Sequence, residues 1–143
     1  MDLNWEYSQK NIDWDELSNL YNLAPLGKKE PKNLEKVFSN SMFKCFVSDT
    51  EKIIGVGRAL ADGSDCSYIC DVAVLPAYQG KGIGSDIVKK LIELSKGYKK
   101  IILYSSPGAE SFYKKLGFNR MSTAMAIFED QNQALEAGLT IKT

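Results

Sequence analysis

Apolar and polar positions change their spacing several times along this chain, and each change marks an element. "LNWEYSQ" (3–9) alternates enough to predict an edge strand. "DWDELSNLYNLA" (13–24) sets Trp14, Leu17, Leu20 and Tyr21 three and four residues apart, a helical stripe with Asp13 as N-cap. "APLGKKEPK" (24–32) holds two prolines, a glycine and charges, so it reads as a loop. Pro31 suits the first turn of a second helix, "PKNLEKVFSNS", with Leu34, Val37 and Phe38 on one side. "MFKCFVSD" (42–49) and "KIIGVGRALAD" (52–62) are strands flanking Thr50-Glu51, a hairpin-length turn, and "DGSD" (62–65) is turn chemistry again.

The second half opens on "CSYICDVAVL" (66–75), a long apolar strand that stops at Pro76. The helix "GIGSDIVKKLIELSK" follows, with Ile83, Ile87, Leu91 and Leu94 in one stripe, Val88 and Ile92 widening it, and Gly97 ending it. "KKIILYS" (99–105) reads as a buried strand, and "PGAESFYKKLG" (107–117) as a short helix from Pro107 to Gly117. "FNRMSTAMAIFE" (118–129) supplies one or two further strands, and the tail after it is compatible with a helical turn without specifying one. The order β-α-α-β-β-β-α-β-α-β, without repeat or linker, predicts one α/β (α+β) domain over 1–143. Its mixed sheet is mostly antiparallel early and parallel around the glycine-rich crossover.

Composition narrows the function. Lys+Arg and Asp+Glu are 18 each, a formal net charge of zero, which argues against nucleic acid as the main partner. No apolar run approaches the roughly 20 residues of a membrane span, and the N-terminus lacks a signal-peptide layout, so the expected location is cytoplasmic, with no membrane partner. Cys45, Cys66 and Cys70 are expected as buried reduced thiols. With no histidine in the chain no mixed Cys/His zinc site can form, and no metal is expected. Missing histidine also excludes Ser–His–Asp and Cys–His catalysis, leaving Asp, Glu, Tyr, Cys, Lys or water to move protons.

Between strand 66–75 and its helix lie Gly80, Gly82 and Gly84. Strand, glycine turn and helix start aim backbone N–H groups and the positive helix end at one point, an anion site. The P-loop pattern fails because Lys81 precedes a glycine, and the dinucleotide pattern fails because its third glycine falls on Ser85. "QGKGIG" (79–84) instead matches Q/R-x-x-G-x-G/A. Here the chain resembles the GNAT superfamily of acetyl-CoA-dependent N-acetyltransferases. "DVAVLPAYQGKGIGSDIVKKLI" is similar to the family's acetyl-CoA motif and "AESFYKKLGF" (109–118) to its downstream motif, in the usual order.

The resemblance implies a twisted sheet of about six to seven strands flanked by about four helices. It implies that Gln79, Gly80, Lys81, Gly82, Ile83, Gly84 and Ser85 cradle the CoA pyrophosphate through their N–H groups. Val72, Ala73 and Val74 would pair through their backbone with the pantetheine arm, in a slot opened where strand 66–75 splays from 99–105. An amine would attack the acetyl thioester directly, through a tetrahedral oxyanion met by an N–H near Val72 or Val74. Tyr113 would donate to the departing thiolate. Asp71 would take the amine's proton, directly or through water, or serve as a strand-end structural carboxylate. Ser106 stands where many relatives carry Asn, seven residues before Tyr113, and its hydroxyl can still bond the cofactor. Lys114 and Lys115 would meet CoA phosphates or, the favoured reading, stay solvated. The acceptor pocket falls to region 20–35 and the strands facing it, with Glu30, Asp62 and Asp71 able to draw a cation. The expected activity is transfer of acetyl from acetyl-CoA to a small-molecule primary amine; a non-catalytic acyl-CoA-binding domain on the same fold is the alternative, and a homodimer is left open.

Overall fold

Asp13 starts the first helix by accepting hydrogen bonds from the N–H groups of Asp15 and Glu16 at 3.0 and 3.2 Å. In the computed structural model, which describes residues 1–142, that helix is α1 (Trp14–Leu23), preceded by strand β1 (Leu3–Glu6). Pro31 occupies the first turn of α2 (Pro31–Ser39), where its missing N–H costs nothing. Strands β2 (Phe43–Asp49) and β3 (Lys52–Ala61) meet at Thr50 and Glu51, with φ of 47° and 67°. Both values are left-handed, as the primed two-residue hairpin turns require. Strand β4 (Cys66–Val74), a 3-10 turn (Pro76–Tyr78), helix α3 (Ile83–Leu94) and strand β5 (Lys100–Ile102) follow.

These elements make a compact unit over Met1–Leu103. Its sheet runs β1-β2-β3-β4-β5, antiparallel except for the parallel β4–β5 pair joined through α3. Leu17, Leu20 and Tyr21 of α1 and Leu34 and Phe38 of α2 are buried, as are Ile87, Val88 and Leu91 of α3. Helix α3 lies very close on β3: a Cβ built at Gly57 would sit 2.7 Å from Ile87 Cγ2, and one at Gly55 3.0 Å from Ile87 Cδ1. The two strand glycines therefore set how near the helix can approach.

A second unit begins at Tyr104 and holds α4 (Glu110–Lys115) and α5 (Gln131–Glu136). Asp130 caps α5 by accepting from Gln133 N–H at 3.0 Å, Ala134 is buried, and the Tyr104 and Phe128 rings meet edge to face at 5.9 Å.

Among the described residues the sheet has five strands where six to seven were expected, and there are five α-helices where about four were. The expected strand 99–105 is ordered as strand only over Lys100–Ile102, and 118–129 contributes none. Alternation supplies the right side chains, but a strand exists only where a neighbour completes its ladder, and 118–129 has no such neighbour among the described residues. The tail forms the short helix α5. Cys45 is buried as expected, whereas Cys66 and Cys70 are only half-buried; all three are free thiols. No helix among the described residues is long and apolar enough to cross a membrane.

Candidate functional site

Opposite Gly57, β4 carries one residue too many. Val56 pairs with Ala73 and Arg58 with Cys70, so Asp71 and Val72 together face Gly57. That is a β-bulge, and Asp71 sits in it with φ 55°, a left-handed value uncommon for a side chain other than glycine. The surroundings over-determine this conformation, whose cost is of order 1 kcal/mol or more. Tyr21 Oη–H donates to the Asp71 carbonyl at 2.7 Å. Arg58 Nε donates to Asp71 Oδ2 at 2.9 Å, and its Nη1 to Ser41 Oγ at 3.1 Å. Lys29 Nζ lies 3.5 Å from Asp71 Oδ1 and 5.4 Å from the centre of the Tyr21 ring. Ser18 Oγ–H fixes the loop beneath it by donating to the Lys29 carbonyl at 2.5 Å. Burial, then the neighbouring Asp71 charge, pushes the Tyr21 phenol well above its ordinary pKa, so it remains a donor.

Beyond the bulge β4 is paired on one side only. Its ladder with β3 continues to Val74, but its pairing with β5 ends at Tyr68↔Ile102. The two strands part there, as expected, and the backbone of Val72, Ala73 and Val74 lies on the stretch with no β5 partner. An extended chain bearing amides can pair with such an edge.

The glycine loop follows. Gln79 adopts an extended ψ of 154°, and its side-chain amide is spent on the scaffold, donating to Val74 O at 2.8 Å and Ala24 O at 3.2 Å. Gly80 and Gly82 have φ of 78° and 86°. Nothing lies within 4 Å of a Cβ built at either, so glycine is required there by conformation and not by crowding within the chain. Gly82 caps α3 without any side-chain bond. Asp86 N–H reaches Gly82 O at 3.0 Å, but among the described residues the N–H groups of Gly80, Lys81, Gly82, Ile83, Gly84 and Ser85 find no acceptor. Unsatisfied donors converging at a helix start fit a diphosphate.

Tyr113 belongs to the second unit. "YKKLGF" proves to be a helix stop: Phe118 N–H bonds to Tyr113 O and Gly117 N–H to Lys114 O, both at 3.1 Å, with Gly117 at φ 102°. This is the paired-bond glycine cap, and its customary apolar contact is Phe118 against Tyr113, edge to face at 5.9 Å. Phe112 meets the same ring at 4.9 Å. The ring is thus fixed, while the hydroxyl has no hydrogen-bond partner among the described residues. Burial raises its pKa. Ser106 is exposed, its carbonyl accepting from Ala109 N–H, and Lys114 and Lys115 are exposed. Asp62 is committed to its turn, accepting from the N–H groups of Ser64, Asp65 and Cys66, which lower its pKa; Glu30 precedes α2 without capping it.

Sequence reasoning had singled out Asp71 and Tyr113, and the region 20–35 that holds Tyr21 and Lys29, but not Ser41, Gly57 or Arg58. A glycine inside an apolar strand signals a bulge or a close approach, and "GVGR" carried that signal at Gly57. The Arg58–Asp71 pair carried none, because register across a bulge is not written in either strand alone.

A model of the acetyltransferase (GNAT) family matches residues 8–118. The uncharacterized N-acetyltransferase ycf52 of Pyropia yezoensis is 32% identical over 117 residues, covering 78% of this chain and 67% of that protein. A ycf52-like uncharacterized N-acetyltransferase of Prochlorococcus marinus is 28% identical over 115 residues, 76% of this chain and 64% of its own. The match thus spans 64% to 67% of these relatives' lengths. A probable acetyltransferase of unknown function from meticillin-resistant Staphylococcus aureus superposes with a TM-score of 0.81 at 25% identity, over 90% of this chain and 99% of that one.

Proposed function

The chain belongs to the acetyltransferase (GNAT) family, and from that premise we propose that it takes acetyl from acetyl-CoA and gives it to the nitrogen of a small primary amine. One observation carries the reading: a run of N–H donors with no acceptor among the described residues, Gly80 to Ser85, lies one short turn after a strand whose outer edge is unpaired beyond Tyr68. Acetyl-CoA supplies an activated acetyl thioester on an amide-bearing arm that ends in a diphosphate. The loop N–H groups hold the phosphates by charge-assisted bonds. Val72, Ala73 and Val74 hold the arm, and an N–H near Val72 or Val74 meets the charge that gathers on the carbonyl oxygen.

The acceptor arrives as an ammonium. The Asp71 carboxylate and Tyr21 ring already hold one, that of Lys29 at 3.5 and 5.4 Å, and carboxylate plus aromatic face is the chemistry that recognises such a group. Both Asp71 oxygens are engaged by cations, so its part is to hold positive charge and brace the bulge, and water carries the proton away. The neutral amine nitrogen then bonds to the acetyl carbon to give the tetrahedral oxyanion, nitrogen gives up its second proton to water, and the C–S bond breaks as the oxyanion collapses to the amide. The family pattern gives Tyr113 the protonation of the departing thiolate, and its neutral, unpartnered phenol suits that role.

Thiol release from acetyl-CoA over a panel of polyamines, arylalkylamines, aminoglycosides and lysine peptides tests the reading. Release is expected with a small primary amine, together with an N-acetyl product by mass spectrometry. Binding of acetyl-CoA without release across the whole panel would replace it with the non-catalytic acyl-CoA-binding alternative.

A further inference from the structure

Arg58 and Lys29 share one carboxylate, that of Asp71, at 2.9 and 3.5 Å, and among the described residues no second carboxylate lies within ion-pair reach of either. Tyr21 is neutral and donates to the Asp71 carbonyl, so the cluster holds one positive charge more than it balances. The two cations are not alike. The Arg58 side chain is 12% exposed and fixed by two bonds, to Asp71 Oδ2 and to Ser41 Oγ. The Lys29 side chain is 28% exposed, and its ammonium has a single, longer ion pair with Asp71 Oδ1. An acceptor ammonium that comes to Asp71 therefore displaces Lys29 and leaves Arg58 in place.

The displaced Lys29 stays close. Its carbonyl accepts from Ser18 Oγ–H at 2.5 Å, Leu26 N–H bonds to Tyr21 O at 2.7 Å, and Ala24 O accepts from the Gln79 amide at 3.2 Å. With the loop tied at three points only the side chain swings, and its ammonium remains beside the one that replaced it. Two cations so placed repel, and a half-buried site screens them less than bulk water does. An anion between them turns that repulsion into a second attraction. We propose that the acceptor is an amine carrying its own anionic group, a carboxylate or phosphate a few bonds from the nitrogen, and that Lys29 is the residue that selects it. The acceptor's ammonium takes the place of Lys29 on Asp71, and its anion takes the place of Asp71 on Lys29. One ion pair is exchanged for two. This proposal rests on the acyl-transfer reading of the same site and names its substrate class.

Matched amines, given with acetyl-CoA to the full chain, test it: β-alanine against propylamine for the carboxylate, and phosphoethanolamine against ethanolamine for the phosphate. In at least one pair the acid-bearing member should have a kcat/KM higher by about tenfold or more, carried by KM, and the pair that shows it tells carboxylate from phosphate. Lys29→Ala should move the two members of that pair in opposite directions, raising KM for the acid-bearing amine and lowering it for the plain one, with native acetyl-CoA affinity. Damage to the fold would move both the same way. Lys29→Arg should keep the preference, and Lys29→Gln takes the place of the alanine variant if that one fails to fold. No gain in either pair, or a gain that survives the loss of the Lys29 charge, overturns the proposal while acetyl transfer to amines stands. Bound acetyl-CoA with no thiol release from any amine removes the acyl-transfer reading, and this proposal with it.

Discussion

Tyr113 shows two roles separable within one side chain. Its ring is the apolar partner that a glycine-terminated helix presents to Phe118, and its hydroxyl has no partner among the described residues. Tyr113→Phe should therefore leave the thermal midpoint and acetyl-CoA affinity nearly unchanged while turnover falls on the order of 10²-fold, the usual scale of a lost proton donor. Turnover and cofactor affinity measured on one preparation check this, and native turnover with chemistry rate-limiting would return Tyr113 to packing alone. The motif around it was legible because a cap is local: a glycine, an aromatic after it and an aromatic four residues before suffice. The Arg58–Asp71–Lys29 cluster was not legible, since its members are 13 and 42 positions apart in sequence (71 − 58 and 71 − 29) and meet only through strand pairing and a loop.

Among the elements, the start of α3 carries the sharpest test. Gly82 has φ 86° with open space around it, so the obstacle to a larger residue is conformational before it is steric. Holding a non-glycine residue in that region costs roughly 1–2 kcal/mol, more for a β-branched one. The chain escapes by turning the loop, which re-aims the N–H groups of Gly80 to Ser85. Gly82→Val should weaken acetyl-CoA binding by at least about tenfold, that cost expressed as affinity, with the fold intact. Titration calorimetry on the folded variant reads it, and native affinity would remove the phosphate cradle. The boundaries of α1, α2, β2, β3, β4 and α3 fell within two residues of expectation, because period, caps and turn residues are properties of neighbours in sequence.

For the whole molecule, the first unit's core stores a dependence on alkaline pH. Tyr21 is buried beneath Lys29 with its pKa raised well above a free phenol's, and burial pushes the Cys45 thiol up to about 12. Both groups are neutral in the fold. Their stabilising contribution is complete below the unfolded values, about 8.5 for a thiol and 10 for a phenol, and is lost as pH rises from there towards the folded values. The urea midpoint should fall steeply above pH ~10, and Tyr21→Phe should flatten that limb. It should also cost about 1 kcal/mol at neutral pH for the bond lost to Asp71 O. An unflattened limb would show that Tyr21 ionises without unfolding the chain.

What the sequence determined by itself is everything that depends on near neighbours: the α1 cap at Asp13, the proline start of α2, the glycine loop, the cap at Gly117 and, through the two motifs, the family. Tertiary structure decided the rest. Asp71 became a bulge residue only where β3 and β4 lose register opposite Gly57, and there Arg58, Tyr21 and Lys29 have a carboxylate and a carbonyl to hold. Residues 118–129 carry the alternation of a strand and are none, because alternation chooses side chains while a ladder needs a second backbone.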